Sequence, residues 1–269
     1  MQWIRAWAAF LAVILLLIAA CSSVPLTGRR QLNMIPSGQM LSMSFQQYDQ
    51  FLSEHELSGD EEKVQMVKTV GKNIADAVET YLKQNSMEDQ LDQYAWEFHL
   101  VKDDAVNAWC MPGGKVVVYT GILPVTRNKA GLAVVMGHEI AHAVAQHGNE
   151  RMSQGMLTQF GGLALSRALK TQPEATQQLF MAAYGAGAQI GVMLPYSRLH
   201  ESEADYLGLI FMAMAGYDPR EAPEFWQRMA AKKQGKQPPE FLSTHPADQK
   251  RIENLKSRMP EAMKYYQGS

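Results

Sequence analysis

Residues 131–147 read GLAVVMGHEIAHAVAQH. Leu132, Val134, Val135, Met136, Ile140, Ala141, Ala143, Val144 and Ala145 are apolar nearly all round the helical period, the pattern of a helix buried in a core. Within it His138, Glu139 and His142 spell H-E-x-x-H. Positions i and i+4 share a helix face, so the two imidazoles can bind one zinc ion. Glu139 stands beside them, where its carboxylate can take a proton from a water. The competing reading is a core helix that happens to carry three polar groups, each of which would then need a buried partner. Thr126 or Asn128 is expected to cap the start of this helix and Gly148 to stop it.

Outward from that helix the chain alternates between helical and strand patterns. Residues 37–58 carry apolar side chains at helical spacing. Asp60-Glu61-Glu62 then load the start of a second helix whose stripe (Val64, Val67, Gly71, Ile74, Ala77, Val78, Tyr81) runs to about residue 84. Alternation over 94–101, a short run at 106–111 and KVVVYT at 115–120 predict three strands, the last two joined by a turn at Pro112-Gly113-Gly114. Helices are expected at about 150–170 and 173–192, broken near Gln172-Pro173. The second contains LFMAAYGAGAQIGVML, short for a membrane span and interrupted by Gln189; it reads as a core helix or one that covers the active site. Further helices are expected at 197–215, 219–233 and from His245-Pro246 to about 258, with a loop at 234–244.

The chain has 269 residues and 46% hydrophobic content, enough for a sizeable core, and its net charge of −2 argues against nucleic acid as a partner. The seventeen methionines, many at helical spacing, read as core packing. Residues 1–20 read as a signal peptide: Arg5 supplies the positive charge, Ala6–Ala20 the apolar run. Ile18-Ala19-Ala20-Cys21 resembles a bacterial lipobox, so Cys21 is expected to carry lipid and residues 21–36 to form an extended tether. That would leave Cys110 without a disulfide partner, as a small buried hydrophobe.

Two histidines leave zinc short of a protein ligand, and a catalytic site keeps one further position open. The position six residues after His142 is Gly148, which supplies nothing, and His147 lies off the shared face. Glu201, Glu203 and Asp205 lie about sixty residues downstream on one expected helix. Glu201 and Asp205 share a face, while Glu203 points away and should be solvated. One acid of the pair can bind the metal while the other orients a ligating histidine or donates a proton.

Three separated motifs then stand in order: Asn107-Ala108-Trp109-Cys110-Met111-Pro112-Gly113-Gly114, His138-Glu139-Ile140-Ala141-His142, and Ser197-Arg198-Leu199-His200-Glu201-Ser202-Glu203-Ala204-Asp205. Together they resemble the HtpX/CAAX-protease type of zinc metallopeptidases (peptidase family 48), in its branch of envelope lipoproteins such as BepA and LoiP. The likeness runs from about residue 60 to 258. It implies an α+β, mainly helical zincin (gluzincin-like) metalloprotease domain over 37–269, with a small sheet bordering the cleft. It implies His138, His142 and Glu201 as ligands to one zinc ion per chain, Glu139 as general base and Asp205 as the acid behind the ligands. Asn107, Ala108, Trp109, Cys110 and Met111 would form the sheet edge that takes up substrate backbone. His245 matches a family His-Pro and would occlude the metal or stabilise the oxyanion, for which a protonated Asp205 and Arg198 are the other donors.

The implied activity is zinc-dependent hydrolysis of peptide bonds in envelope or membrane-associated polypeptides, in quality control. The alternative is an assembly factor or chaperone that binds clients in the same cleft with little turnover; no tetratricopeptide-like repeat follows residue 258 to support it. The expected location is the bacterial envelope, lipid-anchored and facing the periplasm. Ser22 is not the aspartate that retains lipoproteins at the inner membrane, which favours the outer membrane.

Overall fold

A computed structural model describes residues 21–25, 27–232 and 239–268, apart from the side chains of Cys21 and Pro195. The leader expected at 1–20 and much of the loop expected at 234–244 lie outside these residues. In chain order the main elements are β1 (Cys21–Ser23), β2 (Arg30–Leu32), α1 (Ser37–Glu54), α2 (Glu61–Gln84), β3 (Glu97–Val101), β4 (Ala108–Met111), β5 (Lys115–Tyr119), α3 (Lys129–Val144), α4 (His147–Ala168), α5 (Glu174–Ala188), α6 (Leu194–Met214), α7 (Glu221–Lys232) and α8 (Gln249–Ala262). The class is α+β and mainly helical, as expected. The chain divides into two compact units, one of Met1–Pro36 with Gln146–His200, the other of Ser37–Ala145 with Glu201–Ser269.

The second unit holds the H-E-x-x-H helix. Asp60 caps α2 by accepting from Lys63 N at 3.1 Å, and Val67, Val70, Ile74, Ala77, Val78 and Tyr81 bury its apolar stripe. The sheet order is β3-β5-β4, with β5 parallel to β3 and antiparallel to β4. All five residues of β5 are buried, as a central strand requires, and β4 lies at the edge. The turn between β4 and β5 needs its glycines. Gly113 and Gly114 have φ of 87° and 81°, and a Cβ on either would sit within 2.4 Å of the Phe45 or Trp96 ring. Helix α3 packs against α2 and β4. Asn128, one of the two expected caps, accepts from Gly131 N at 2.8 Å.

Several boundaries differ from expectation. Gly148 does not stop α3; it lies inside α4, and the chain turns at Gln146, which adopts φ 55°. A glutamine here does what glycine usually does at a helix end, so the sequence carries no flag. The last helix starts at Gln249, because Asp248 accepts from Arg251 N at 2.8 Å and caps it there; His245 and Pro246 belong to the connection before it. Glu203 is buried, not solvated. Helix α6 does not begin afresh near 197: it continues α5 through a π turn at Gln189–Met193.

One close approach sets the geometry of this unit. A Cβ on Gly208 of α6 would lie 3.0 Å from the carbonyl carbon of Gly137 and from His138 N on α3. Two glycines face each other, so the two backbones touch. Gly208 lies seven residues after Glu201 and three after Asp205, on the same helix face, so the contact that admits no side chain is the one that carries both acids to His138.

In the first unit, β1 and β2 pair antiparallel, Cys21 opposite Leu32. The stretch expected as an extended tether is instead fastened to α4. Arg29 donates to both carboxylate oxygens of Glu150 at 2.9 and 2.7 Å, Met34 N donates to Ser153 Oγ at 2.9 Å, and Asn149 donates to Ile35 O at 2.7 Å. His147, which lies off the ligand face, opens α4, fully buried and stacked on His200 at 4.2 Å. Helices α4 and α5 pack as a hairpin through Tyr184, whose hydroxyl donates to Thr158 O at 2.9 Å. No residue of α5 is buried, so it is not the core helix its composition suggested.

Two outcomes follow. Gly208→Val forces α3 and α6 apart; we expect a loss of about 1–3 kcal/mol in stability together with reduced metal content, measured by thermal melting and by elemental analysis. Burial alone would raise the pKa of Glu150, but its bonds from His200 and Arg29 outweigh it and lower it to about 2. A lowered pKa contributes stability above the ordinary carboxylate value, and that contribution is lost as pH falls from about 4.5 towards 2. Arg29→Ala, which leaves the buried carboxylate to His200 alone, should cost about 1–3 kcal/mol and flatten the acid limb of a melting-temperature profile.

Candidate active site

Helix α3 delivers His138, Glu139 and His142; helix α6 delivers Glu201 and Asp205; the connection before α8 delivers His245. His138 Nε2 lies 3.1 Å from His142 Nε2, 3.4 Å from Glu201 Oε2 and 3.1 Å from His245 Nδ1. His142 Nε2 lies 3.3 Å from Glu201 Oε1, and His245 Nδ1 lies 2.9 Å from Glu201 Oε2. Among the described residues these four form the group whose ligand atoms lie within 4.8 Å of one another. Zinc bound to nitrogen and oxygen at 2.0–2.1 Å in a tetrahedron holds its ligand atoms about 3.3 Å apart, and the measured edges bracket that value. The donor set of imidazoles and a carboxylate fits zinc as well.

The carboxylate at 201 is therefore where the sequence reading needed it, turned toward the imidazole pair. Burial opposes its ionisation, but hydrogen bonds from His138, His142 and His245 hold it far below the ordinary range. On the far side of His138, Nδ1 lies 3.0 Å from Asp205 Oδ1. Asp205 thus orients the ligand from behind, leaving Nε2 to face the site. Asp205 is buried, yet Arg251 and His138 lower its pKa, so the protonated form considered as an oxyanion donor is not favoured. Arg198, the third donor considered, is exposed.

Glu139 is 4% exposed, and its Oε1 has no hydrogen-bond partner, with His245 Nε2 3.4 Å away. Burial raises its pKa against the pull of His245 and His138. A desolvated carboxylate with an unsatisfied oxygen beside the ligand cluster is poised to accept a proton. Cys110 is partly buried on β4, its thiol pushed well above the ordinary value by desolvation. Asn107 and Ala108–Met111 lie at the sheet edge, and α3 packs against β4.

Arg251 had no signal in the sequence. It lies one helical turn into α8, and its guanidinium donates to Asp205 Oδ1 at 2.6 Å, sits 3.1 Å from Glu201 Oε2 and rests over the Trp226 ring at 3.3 Å. Two buried carboxylates a turn apart repel each other, and Arg251 neutralises that repulsion. Its only foreshadowing is its place six residues after His245 on a helix that otherwise reads as amphipathic. Removing the guanidinium with Arg251→Met should weaken zinc binding about 10–100-fold in chelator competition, and Arg251→Lys should not restore it, since a point charge cannot replace the stacked fork.

A peptidase family M48 profile matches residues 66–259. The chain is 36% identical over 200 residues to the mitochondrial metalloendopeptidase OMA1 of Saccharomyces cerevisiae, covering 71% of this chain and 55% of that protein. It is 31% identical over 246 residues to the OMA1 metalloendopeptidase of Homo sapiens, covering 89% and 46%. It is 29% identical over 168 residues to the beta-barrel assembly-enhancing protease of Escherichia coli strain K12, covering 61% and 34%. The chain spans about half the length of the curated relatives it matches. Three motifs in order, a ligand cluster at metal-binding spacing and a profile over most of the chain agree: this chain belongs to peptidase family M48.

Proposed function

We propose that the chain is a zinc-dependent endopeptidase, with one zinc ion held by His138, His142 and Glu201. The observation that carries this reading is the convergence of those three side chains beside an unsatisfied Glu139 oxygen. Zinc, when bound, supplies Lewis acidity that polarises a carbonyl and makes a water acidic near neutral pH. Glu139 removes the water's proton and passes it to the leaving amine. Asp205 and Arg251 keep His138 oriented and its charge balanced. The outer edge of β4, Asn107 to Met111, accepts the substrate backbone as an added strand, a mode that reads main chain more than side chains.

His245 is a self-inhibiting residue in this reading. Its Nδ1 lies at the fourth corner of the ligand group, the corner a hydrolytic site keeps for water. It must swing out before substrate enters. The metalloendopeptidase names of the mitochondrial relatives support cleavage of polypeptides, and the beta-barrel assembly-enhancing name of the bacterial ones supports a role in handling membrane proteins during quality control. The lipobox-like Ile18-Ala19-Ala20-Cys21 supports lipid on Cys21 and a periplasm-facing site in the bacterial envelope, and Ser22 after it favours the outer membrane.

Glu139→Gln should lower casein hydrolysis by about 10²–10⁴-fold while zinc stoichiometry stays at one. Unchanged turnover would remove the general-base role. If that variant still rescues envelope assembly in cells, client binding without cleavage is the function that matters there. His245→Ala should raise the rate on the same substrate; a fall would make His245 the oxyanion donor.

A further inference from the structure

Among the described residues, the large apolar side chains left exposed are almost confined to one unit. Apart from Leu57, they are Met152, Leu157, Phe160 and Leu163 on α4, Leu179 and Phe180 on α5, and Ile190, Val192, Leu194, Tyr196 and Leu199 on the continuing helix. Phe160, Leu163, Leu179, Phe180 and Ile190 are each more than half exposed. They are patterned: 157, 160 and 163 follow a three-residue step on α4, and Leu179, Ala183, Ala186 and Ile190 form an i, i+4, i+7, i+11 stripe. The inner faces of the hairpin are already used, with Tyr184 against Gly161 and Gly162. Soluble surfaces rarely leave contiguous apolar area of this kind without a partner.

Charge and continuity identify the partner. Between residues 151 and 199 the charged residues are Arg151, Arg167, Lys170 and Arg198 against Glu174, all exposed, while the whole chain carries −2. A stretch that combines exposed apolar side chains with a net excess of exposed basic ones suits anionic lipid headgroups. The same unit carries Cys21 in β1, the point where the apolar run 6–20 joins the folded chain, and Arg29 fastens that hairpin to α4. A groove of about 650 Å³ lined by Arg30, Leu157, Tyr184, Val192 and Tyr196 opens on this unit. No helix among the described residues is long and apolar enough to cross a membrane.

We infer that the α4–α5 hairpin is a second membrane contact: its outer apolar face inserts in the headgroup region of an anionic bilayer. The inference rests on the reading of Cys21 as lipid-bearing, which holds the hairpin against the surface so that a modest apolar area suffices. Tether and hairpin then act as two linked attachments, each raising the effective concentration of the other.

The test uses the full-length chain in vesicles of phosphatidylethanolamine and phosphatidylglycerol, comparing the parent with Phe180→Trp, a substitution at an exposed position. Tryptophan emission gained by the variant should be quenched by acyl-chain-brominated lipids and protected from acrylamide, with less lipid quenching in vesicles lacking phosphatidylglycerol. Gained emission quenched by acrylamide as freely as a solvated indole overturns the inference. So does emission shielded from both quenchers, which would mean protein, such as a second copy, covers the face. Flotation reports the tether separately: a chain that floats but shows no lipid quenching retains its tether and loses the hairpin contact, and a chain that does not float loses both. Neither readout depends on peptide hydrolysis.

Discussion

Two glycines in contact hold the active site together. A helix carrying two imidazoles and a helix carrying two carboxylates must approach until their ligand atoms are about 3.3 Å apart. Ordinary helix pairs, separated by side chains, run 8–10 Å between axes, and the long reach of a glutamate closes only part of that gap. Gly137 and Gly208 remove the side chains at the crossing, so backbone meets backbone. The distances from Glu201 and Asp205 to the α3 histidines follow from that crossing, because the two acids stand two turns and one turn from Gly208; His245 comes to the group separately, from the connection before α8.

The second constraint is charge. Glu139, Glu201 and Asp205 are all largely buried within reach of one another, and three like charges in a desolvated site are costly. The site divides the problem. Glu201 and Asp205 are held ionised by histidines and by Arg251, whose guanidinium is in turn fixed flat on Trp226. Glu139 is left with an unsatisfied oxygen and a raised pKa. In the proposed mechanism the two stabilised anions would serve as ligand and orienter and the destabilised one as the base, a division of labour that suits hydrolysis.

The first unit answers to different physics. Its interior is a small polar lock of Arg29, Glu150, His200 and His147, and its exterior is apolar where α4 and α5 face outward. In the membrane contact inferred above, lipid would complete the burial of that outer face.

Local pattern was sufficient for much of this molecule. The stripe of α2, the three strands, the glycine turn at 113–114, the Asn128 cap and the H-E-x-x-H helix are all short-range features, and their periods and turn residues are legible in a linear chain. The pairing of Glu201 with the histidines, which the structure brings within ligand spacing, was suggested by family motifs that link residues fifty-nine positions apart. What only the tertiary structure decided has in common that its cause is distant in the chain. Gln146 takes the place of a stop glycine because the next helix must start at once. Glu203 is buried by packing that no local polarity announces. Arg251 joins the site through a fold of α8 onto α3 and α6, across forty-six residues from Asp205. Helix α5 has the composition of a core helix and the position of a surface one, because hydropathy says that a face must be covered and only the fold says by what.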